Sequence, residues 1–168
     1  MDMVELKTSR LLLSSFTPDD APFVLKMVND PGWIRNIGER NVRSVDAARD
    51  YIVQRFMPGL WLLGRTATGE PIGVCGLVEQ RPGLDFPDLG YAVVEHASGN
   101  GYATEMARAL LDFVQTVRGI GTVAGITAPD NLASQRVLIK LGFAYVGKID
   151  LPKASGASAY FLVHAAKA

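Results

Sequence analysis

The sequence predicts an α/β (α+β) fold, in which a mixed sheet of about seven strands is flanked by helices. Short apolar runs of strand length alternate with longer segments whose apolar residues recur at helical spacing. Turn-forming pairs such as Thr17-Pro18 and Pro58-Gly59 separate these segments. A length of 168 residues fits one domain, 1–168, and a hydrophobic share of 48% is ample for its core.

The first half of the chain is predicted to run strand, helix, helix, strand, strand. Leu-rich and Val-rich runs bounded by turns are assigned as strands, and segments with apolar residues at helical spacing as helices. Ser44 is the predicted N-cap of the second helix. The predicted elements are strand 10–16, helix 20–28, a short segment 33–37, helix 45–56, and strands 60–67 and 72–79.

The second half is predicted by the same patterns to alternate strands and helices before two closing strands. Gly142 is the predicted residue after the end of the last helix, where a left-handed backbone is common. The predicted elements are strand 88–94, helix 106–117, strand 122–127, helix 131–141, and strands 143–149 and 159–164. Neither half contains a repeat or a long linker.

A glycine-rich segment, 98–105 (Ser-Gly-Asn-Gly-Tyr-Ala-Thr-Glu), lies between a predicted strand and a predicted helix. Its glycines allow close approach of a ligand, and the free N–H groups of a first helical turn attract phosphates. The phosphate-binding loop of a nucleoside triphosphatase has a Lys directly after its last glycine. Tyr102 follows Gly101 here, which disfavours that kind of loop. Thr104 stands where a dinucleotide fingerprint has its third glycine. A plain tight turn remains an alternative.

Composition narrows the function classes. Seventeen basic and seventeen acidic residues give zero net charge, which argues against broad nucleic-acid binding. Cys75 is the only cysteine, so a disulfide framework and a cysteine-based metal site are excluded. No apolar run reaches the roughly 20 residues of a membrane span, and no signal-peptide pattern is seen. We therefore expect a cytoplasmic protein with no membrane partner, no nucleic-acid partner and no metal.

Four stretches together resemble the GNAT acyltransferases, and most closely their RimJ/RimL-type branch, the ribosomal-protein N-terminal acetyltransferase-like proteins. The stretches are 8–13 with 19–21, 29–31, 89–105, and 131–143. The resemblance implies the GNAT fold, with a mixed, mostly antiparallel central sheet. Ser98 departs from the family pattern, because a Gln or Arg commonly occupies that position, and the effect of this change is left open.

The resemblance implies acetyl-CoA as the acyl donor. The backbone of the glycine segment would hold the pyrophosphate, and the strand before it would pair with the pantetheine arm. The predicted helix 131–141 would bind the pantetheine through Asn131 and place Ser134 near the sulfur. The implied cofactor-binding residues are Ala92, Val93, Gly99, Asn100, Gly101, Tyr102, Ala103, Thr104, Asn131 and Ser134. The residues alone favour the alternative in which Asn131 is an N-cap and Ser134 a polar residue of the first helical turn.

Catalytic and acceptor residues are predicted as follows. Ser134 is a hydrogen-bond donor to the departing thiolate, and Glu79 and Asp88 are candidate general bases, the alternative being solvated carboxylates at strand ends. Trp33 and Tyr91 are predicted to contact the acceptor, with core packing as the alternative. Five arginines between the first two long strands form either a solvated face or a site for an acidic protein or peptide: Arg35, Arg40, Arg43, Arg49 and Arg55.

The predicted function is transfer of an acetyl group from acetyl-CoA to a primary amine by direct attack in a ternary complex. The acceptor is left open between a protein or peptide N-terminus and a small amine. A CoA-binding sensor or partner-binding module without turnover is the alternative, and a nucleotide-binding module is disfavoured. Strand edges late in the chain could mediate a homodimer.

Overall fold

Eight strands form one continuous sheet in the computed structural model, which describes residues 2–166. The order across the sheet is β1-β2-β3-β4-β5-β6-β8-β7, and every neighbouring pair except β5–β6 is antiparallel. The strands are β1 (Glu5–Lys7), β2 (Leu11–Ser15), β3 (Leu60–Thr66), β4 (Pro71–Val78), β5 (Asp88–Val93), β6 (Thr122–Thr127), β7 (Ala144–Asp150) and β8 (Ala157–His164).

Five α-helices flank the sheet within the described residues. They are α1 (Ala21–Val28), α2 (Pro31–Asn36), α3 (Val45–Tyr51), α4 (Tyr102–Thr116) and α5 (Leu132–Lys140). The end of α3 passes directly into a π-helical turn over Ile52–Phe56, where the Met57 N–H donates to the Ile52 carbonyl at 2.9 Å. Single turns of this kind are often found at functional sites.

The predicted fold class is confirmed, and three element predictions need correction. The sheet has eight strands rather than about seven, because β1 is only three residues, Glu-Leu-Lys, and carries no apolar run to reveal it. Residues 33–37 belong mostly to α2, which has Pro31 in its first turn. Helix α4 begins at Tyr102 rather than at residue 106, because Gly101 takes a left-handed backbone (φ 78°) as its N-cap.

The parallel pair β5–β6 is joined at a single register position. Asp88 is opposite Ala124, and the Ala124 N–H donates to the Pro87 carbonyl at 2.8 Å. Beyond that point the two strands share no further pairing within residues 2–166. The sheet therefore opens into a gap between the second half of β5 and β6.

Both faces of the sheet are packed, each by a different set of contacts. On one face, the fully buried Met106 of α4 fills the space above Gly64, where a Cβ would come within 2.5 Å of its sulfur. On the other face, the Trp61 ring lies across Gly76 and Gly90. These glycines make room for large side chains rather than for a turn.

No helix in the stretch 2–166 is long and apolar enough to cross a membrane. That stretch also contains no cluster of three or more His, Cys, Asp or Glu side chains arranged to hold a metal ion.

Candidate functional site

A cleft of about 1880 Å³ lies where β5 and β6 separate. Its lining includes β5, the glycine segment and the first turns of α4 and α5. It also includes α2, the loop after it and the π-helical turn. The volume exceeds the roughly 300–1,000 Å³ of a typical small-ligand pocket. The cleft therefore has room for two ligands side by side.

The glycine segment presents unpaired donors to this cleft. Gly99 and Gly101 have left-handed backbones, with φ of 81° and 78°. Residues 2–166 offer no hydrogen-bond acceptor to any backbone N–H from Gly99 through Thr104. Because the N-terminus of a helix also carries positive partial charge, these donors suit a phosphate group.

The loop that carries these donors is held by its own polar side chains. Asn100 Nδ2 donates to the Ala97 carbonyl at 2.9 Å, and Ser98 Oγ donates to the Glu95 carbonyl at 2.7 Å. Ser98 is thus engaged within its own turn.

A three-residue cluster of Thr8, Arg10 and Glu105 clamps the loop from the side of β2. Glu105 accepts from Thr8 Oγ1 at 2.5 Å, from the Arg10 backbone N–H at 3.1 Å and from Arg10 Nε at 2.7 Å. Arg10 Nη2 also donates to the Asn100 carbonyl at 2.9 Å, and its guanidinium lies 4.7 Å from the centre of the Tyr102 ring. The start of the chain thereby positions the glycine segment.

Glu105 is held ionised by this cluster. Burial alone would raise its pKa, but the hydrogen bonds from Thr8 and Arg10 and the Arg10 charge outweigh burial and lower the pKa below its ordinary value. Sequence reasoning missed the cluster, because about 95 residues separate its members and no local pattern links them.

The open edge of β5 offers backbone groups to the gap. The Val94 N–H donates to the Ile72 carbonyl in β4 at 3.0 Å. Because backbone groups alternate in direction along a strand, the N–H groups of Tyr91 and Val93 point away from β4, into the gap. Ala92 also lines the cleft, but its carbonyl points toward β4. The direction is seen from Gly73 in β4, because a Cβ added to that glycine would lie 2.3 Å from the Ala92 carbonyl oxygen.

Tyr91 and Ser134 meet across the gap. Tyr91 Oη lies 2.8 Å from Ser134 Oγ and donates to the Ser134 carbonyl at 2.9 Å. Burial raises the pKa of Tyr91 to about 12, and the hydrogen bond to Ser134 opposes this only in part. The phenol is therefore protonated at neutral pH and serves as a hydrogen-bond donor.

Asn131 is the N-cap of α5, as one of the two sequence-based readings proposed. Its Oδ1 accepts from the Ser134 N–H at 3.2 Å. Its side-chain nitrogen Nδ2 has no acceptor among residues 2–166, and Asn131 lines the cleft. Capping and ligand contact can therefore both be served by this one side chain.

The two predicted bases lie in different environments. Glu79 is exposed just beyond the end of β4 and is not among the cleft residues, so the structure lends no support to its catalytic role. Asp88 lines the cleft but is only 2% exposed, and both its oxygens accept from Arg81, at 3.0 Å each. Burial raises the pKa of Asp88, and the Arg81 hydrogen bond and charge pull it back in part.

The predicted acceptor residues Trp33 and Tyr91 both line the cleft, and Trp33 is 7% exposed. Cys75 is fully buried, and burial raises its pKa to about 12, which excludes it as a nucleophile.

The cleft therefore combines three features: backbone donors suited to an anion, the open edge of β5, and the paired hydroxyls of Tyr91 and Ser134.

Comparison with known proteins agrees with this arrangement. A model of the acetyltransferase (GNAT) domain family matches residues 10–144. The chain belongs to the GNAT acetyltransferase family. The uncharacterized N-acetyltransferase YoaA of Bacillus subtilis (strain 168) is 27% identical over 149 residues, which cover 84% of each chain. The uncharacterized protein YkkB of the same strain is 40% identical over 87 residues, so the match spans about half of each chain, 51%.

Solved structures share the fold at low sequence identity. A GNAT-family acetyltransferase from Bacillus anthracis has a TM-score of 0.82 at 18% identity, over 96% of this chain and 98% of its own. The ribosomal-protein-S5-alanine acetyltransferase of Vibrio fischeri has 0.80 at 13%, over 96% of both. The aminoglycoside acetyltransferase AAC(6′)-Ib in complex with coenzyme A has 0.75 at 18%, over 92% and 94%. These likenesses establish the fold alone, and their acceptors differ.

Proposed function

We propose that the protein transfers an acetyl group from acetyl-CoA to a primary amine, in a ternary complex and without a covalent enzyme intermediate. The observation that carries the proposal is the coincidence, in one cleft, of the unpaired N–H groups of residues 99–104 and the open edge of β5. The first group of donors suits the pyrophosphate of CoA. The second suits the amides of the pantetheine arm, which can pair with a strand edge.

Cofactor placement follows from these two features. Gly99, Asn100, Gly101, Tyr102, Ala103 and Thr104 bind the pyrophosphate through backbone N–H groups. The Val93 N–H, which points into the gap, pairs with the pantetheine or polarises the thioester carbonyl as negative charge develops there. Ala92 contributes its side-chain face, and the free amide nitrogen of Asn131 donates to a pantetheine carbonyl.

The chemical step is a direct displacement. A neutral amine attacks the thioester carbonyl, a C–N bond forms, the C–S bond breaks, and CoA leaves as the thiolate. The amine proton passes to solvent or to a base. The only cysteine is inert, which fits a reaction without an enzyme nucleophile.

Ser134 and Tyr91 stabilise the departing thiolate. Ser134 Oγ is the predicted donor to sulfur: its proton, which faces Tyr91 Oη at 2.8 Å, turns to the thiolate as it forms, while Tyr91 keeps Ser134 in place by donating to its carbonyl. A phenol with a pKa of about 12 is a weaker acid than a thiol, whose ordinary pKa in cysteine is about 8.5, so Tyr91 does not give up its proton to the thiolate. The pair therefore lends hydrogen bonds, and the thiolate takes its proton from solvent.

A general base contributes little if the acceptor is an α-amino group, whose ordinary pKa is about 7.7–8.0. Asp88 is the predicted base that lies at the cleft, but Arg81 occupies both of its oxygens. As a base it would first have to break one of these hydrogen bonds. We infer that Asp88 chiefly stabilises the point where β5 leaves β6.

Two kinds of acceptor are proposed: a protein N-terminus, as the RimJ/RimL-type branch suggests, and a small amine. The alternative, a CoA-binding sensor, differs from an acetyltransferase in that it binds the cofactor without transferring the acetyl group. Calorimetric titration with acetyl-CoA, with ATP and NAD as controls, tests the cofactor, and release of free thiol in the presence of amines tests transfer. Binding without thiol release for any amine supports the sensor, and no acetyl-CoA binding overturns both.

A further inference from the structure

We propose that the acceptor is an amine that carries a carboxylate, held by a basic arm of the cleft made of Arg35, Arg40 and Arg55. This inference rests on the proposed function and names the chemical class of its second substrate. The arm is the part of the cleft lined by α2, the loop after it and the π-helical turn.

The structure divides the five arginines of this region into two groups. Arg43 donates to Asn29 Oδ1 at 2.7 Å and pairs with Glu39, and Arg49 pairs with Asp46 at 2.8 Å. Neither of these two lines the cleft. Arg35, Arg40 and Arg55 do line it, they are exposed, and they have no hydrogen bond or ion pair with any group of residues 2–166.

The arm concentrates positive charge in a chain that has none overall. Among the cleft residues from 27 to 61, three are arginines and one is an acid, Asp30, which leaves the arm a formal excess of two positive charges. Both Asp30 oxygens lie 3.3 Å from the Glu95 N–H. That carboxylate is therefore partly engaged, and the chain as a whole balances 17 basic against 17 acidic residues.

Two further observations indicate a ligand here. Trp33 lines the same arm, and its indole Nε1 is the one buried side-chain nitrogen or oxygen in the described part of the chain without a hydrogen-bond partner. Nε1 is shielded from solvent, so an acceptor oxygen of a ligand would satisfy it only after a small movement of the neighbouring side chains. The π-helical turn carries Arg55 and follows Tyr51, and a turn of this kind often occurs at a functional site.

These features favour a carboxylate. Guanidinium groups bind carboxylates through paired N–H donors, and no internal ion pair of these three arginines has to break first. Such a carboxylate can belong to a free amino acid or to an acidic residue near a peptide N-terminus. The shared chemistry is an amine with a neighbouring carboxylate.

The test uses matched acceptors that differ only in charge. The peptides Ala-Glu-Glu-amide and Ala-Gln-Gln-amide, with free N-termini, are titrated into the full chain saturated with CoA. Free glutamine and its α-amide, which differ only in the α-carboxylate, form a second pair for the small-molecule source. We expect the acidic member of at least one pair to bind about tenfold more tightly, as one charge-assisted hydrogen bond would give.

Variants locate the effect. Arg35→Gln, Arg40→Gln and Arg55→Gln should each reduce the acidic preference, and the triple variant should abolish it. Arg49→Gln is the matched control, since Arg49 belongs to the same segment but is paired outside the cleft. Arg55→Lys keeps the charge and should retain part of the preference, which separates loss of charge from loss of folding.

Failure of this inference is distinct from failure of the proposed function. Normal acetyl-CoA binding with equal, absent or reversed preference within both pairs overturns the carboxylate site and leaves the acetyl-transfer proposal intact. An acidic preference that survives the triple variant also overturns it. An acidic preference without acetyl-CoA binding would keep the anion site and refute the acetyltransferase proposal.

Discussion

Tyr91 Oη lies 2.8 Å from Ser134 Oγ, which joins the open edge of β5 to the first turn of α5 across the gap in the sheet. The two residues are 43 positions apart, and the contact places two hydroxyls beside the strand edge proposed to hold the thioester. Burial keeps the phenol protonated, with a pKa of about 12. The pair is therefore the natural place to test how the leaving group is stabilised.

A double-mutant cycle tests this pair. Tyr91→Phe and Ser134→Ala should each lower kcat about tenfold, with a smaller change in KM for acetyl-CoA, since a hydrogen bond to a charged group contributes roughly 1.5–3 kcal/mol. The double variant should lose less than the product of the two, because the hydroxyls act together. Strict additivity would show that they act independently, and a changed pH–rate limb in Tyr91→Phe would point to proton transfer.

The glycine segment can be tested with a matched pair of glycines. Gly99 (φ 81°) and Gly69 (φ 85°) share a left-handed backbone, and a Cβ on either would meet nothing within 4 Å. Gly99→Ala and Gly69→Ala should therefore each cost about 1–2 kcal/mol of stability, the price of a left-handed non-glycine residue. Only Gly99→Ala should also weaken acetyl-CoA binding in calorimetry. Equal affinities for the two variants would remove the segment from the cofactor site.

Glu105 provides a prediction with a definite sign. Because its pKa is lowered in the folded protein, its ionised form stabilises the fold above the unfolded pKa, ordinarily about 4.3. The stability difference between the native protein and Glu105→Gln should be fully present at neutral pH and should vanish as pH falls through the folded pKa. Chemical denaturation at several pH values measures it. Glu5→Gln, which changes an exposed residue of β1, is the control.

Asp88 should show the opposite trend. Burial raises its pKa, so its contribution to stability is present below the unfolded pKa, ordinarily about 3.9, and is lost as pH rises through the folded pKa. The stability of the native protein relative to Asp88→Asn should therefore decrease with rising pH. An increase would mean that the pairing with Arg81 outweighs the cost of burial. The kcat/KM profile of Asp88→Asn should keep its acidic limb unless Asp88 acts as the base.

Gly76 tests the packing of the acceptor side. A Cβ at this position would come within 2.1 Å of Trp61 Cε3, so Gly76→Ala must displace the indole from the sheet. Overpacking of this kind typically costs about 1–3 kcal/mol. Gly121→Ala, where a Cβ meets nothing within 4 Å, is the control. A melting temperature for Gly76→Ala equal to that of the control would show that Trp61 moves freely.

Local patterns predicted most of this molecule. Strand β6 (Thr122–Thr127) has the predicted bounds, and most other elements differ by one or two residues at their ends. The predicted glycine segment lies at the cleft, with Ser134 and Asn131 beside it. These features are recoverable because helical spacing, strand length, caps and turns are set by neighbours along the chain.

Contacts that depend on how the loops and elements pack could not be predicted in the same way. The clamp of Arg10 on Glu105, the Tyr91–Ser134 pair and the ion pair that occupies Asp88 depend on how elements pack. The two groups of arginines could not be predicted either. Arg55 lines the cleft, whereas Arg49 lies outside it and is paired with Asp46. Composition and periodicity decided the class of fold and the place of the glycine segment. Only the packing of the sheet and helices decided which side chains meet there, because side-chain contacts across a sheet depend on strand order and register.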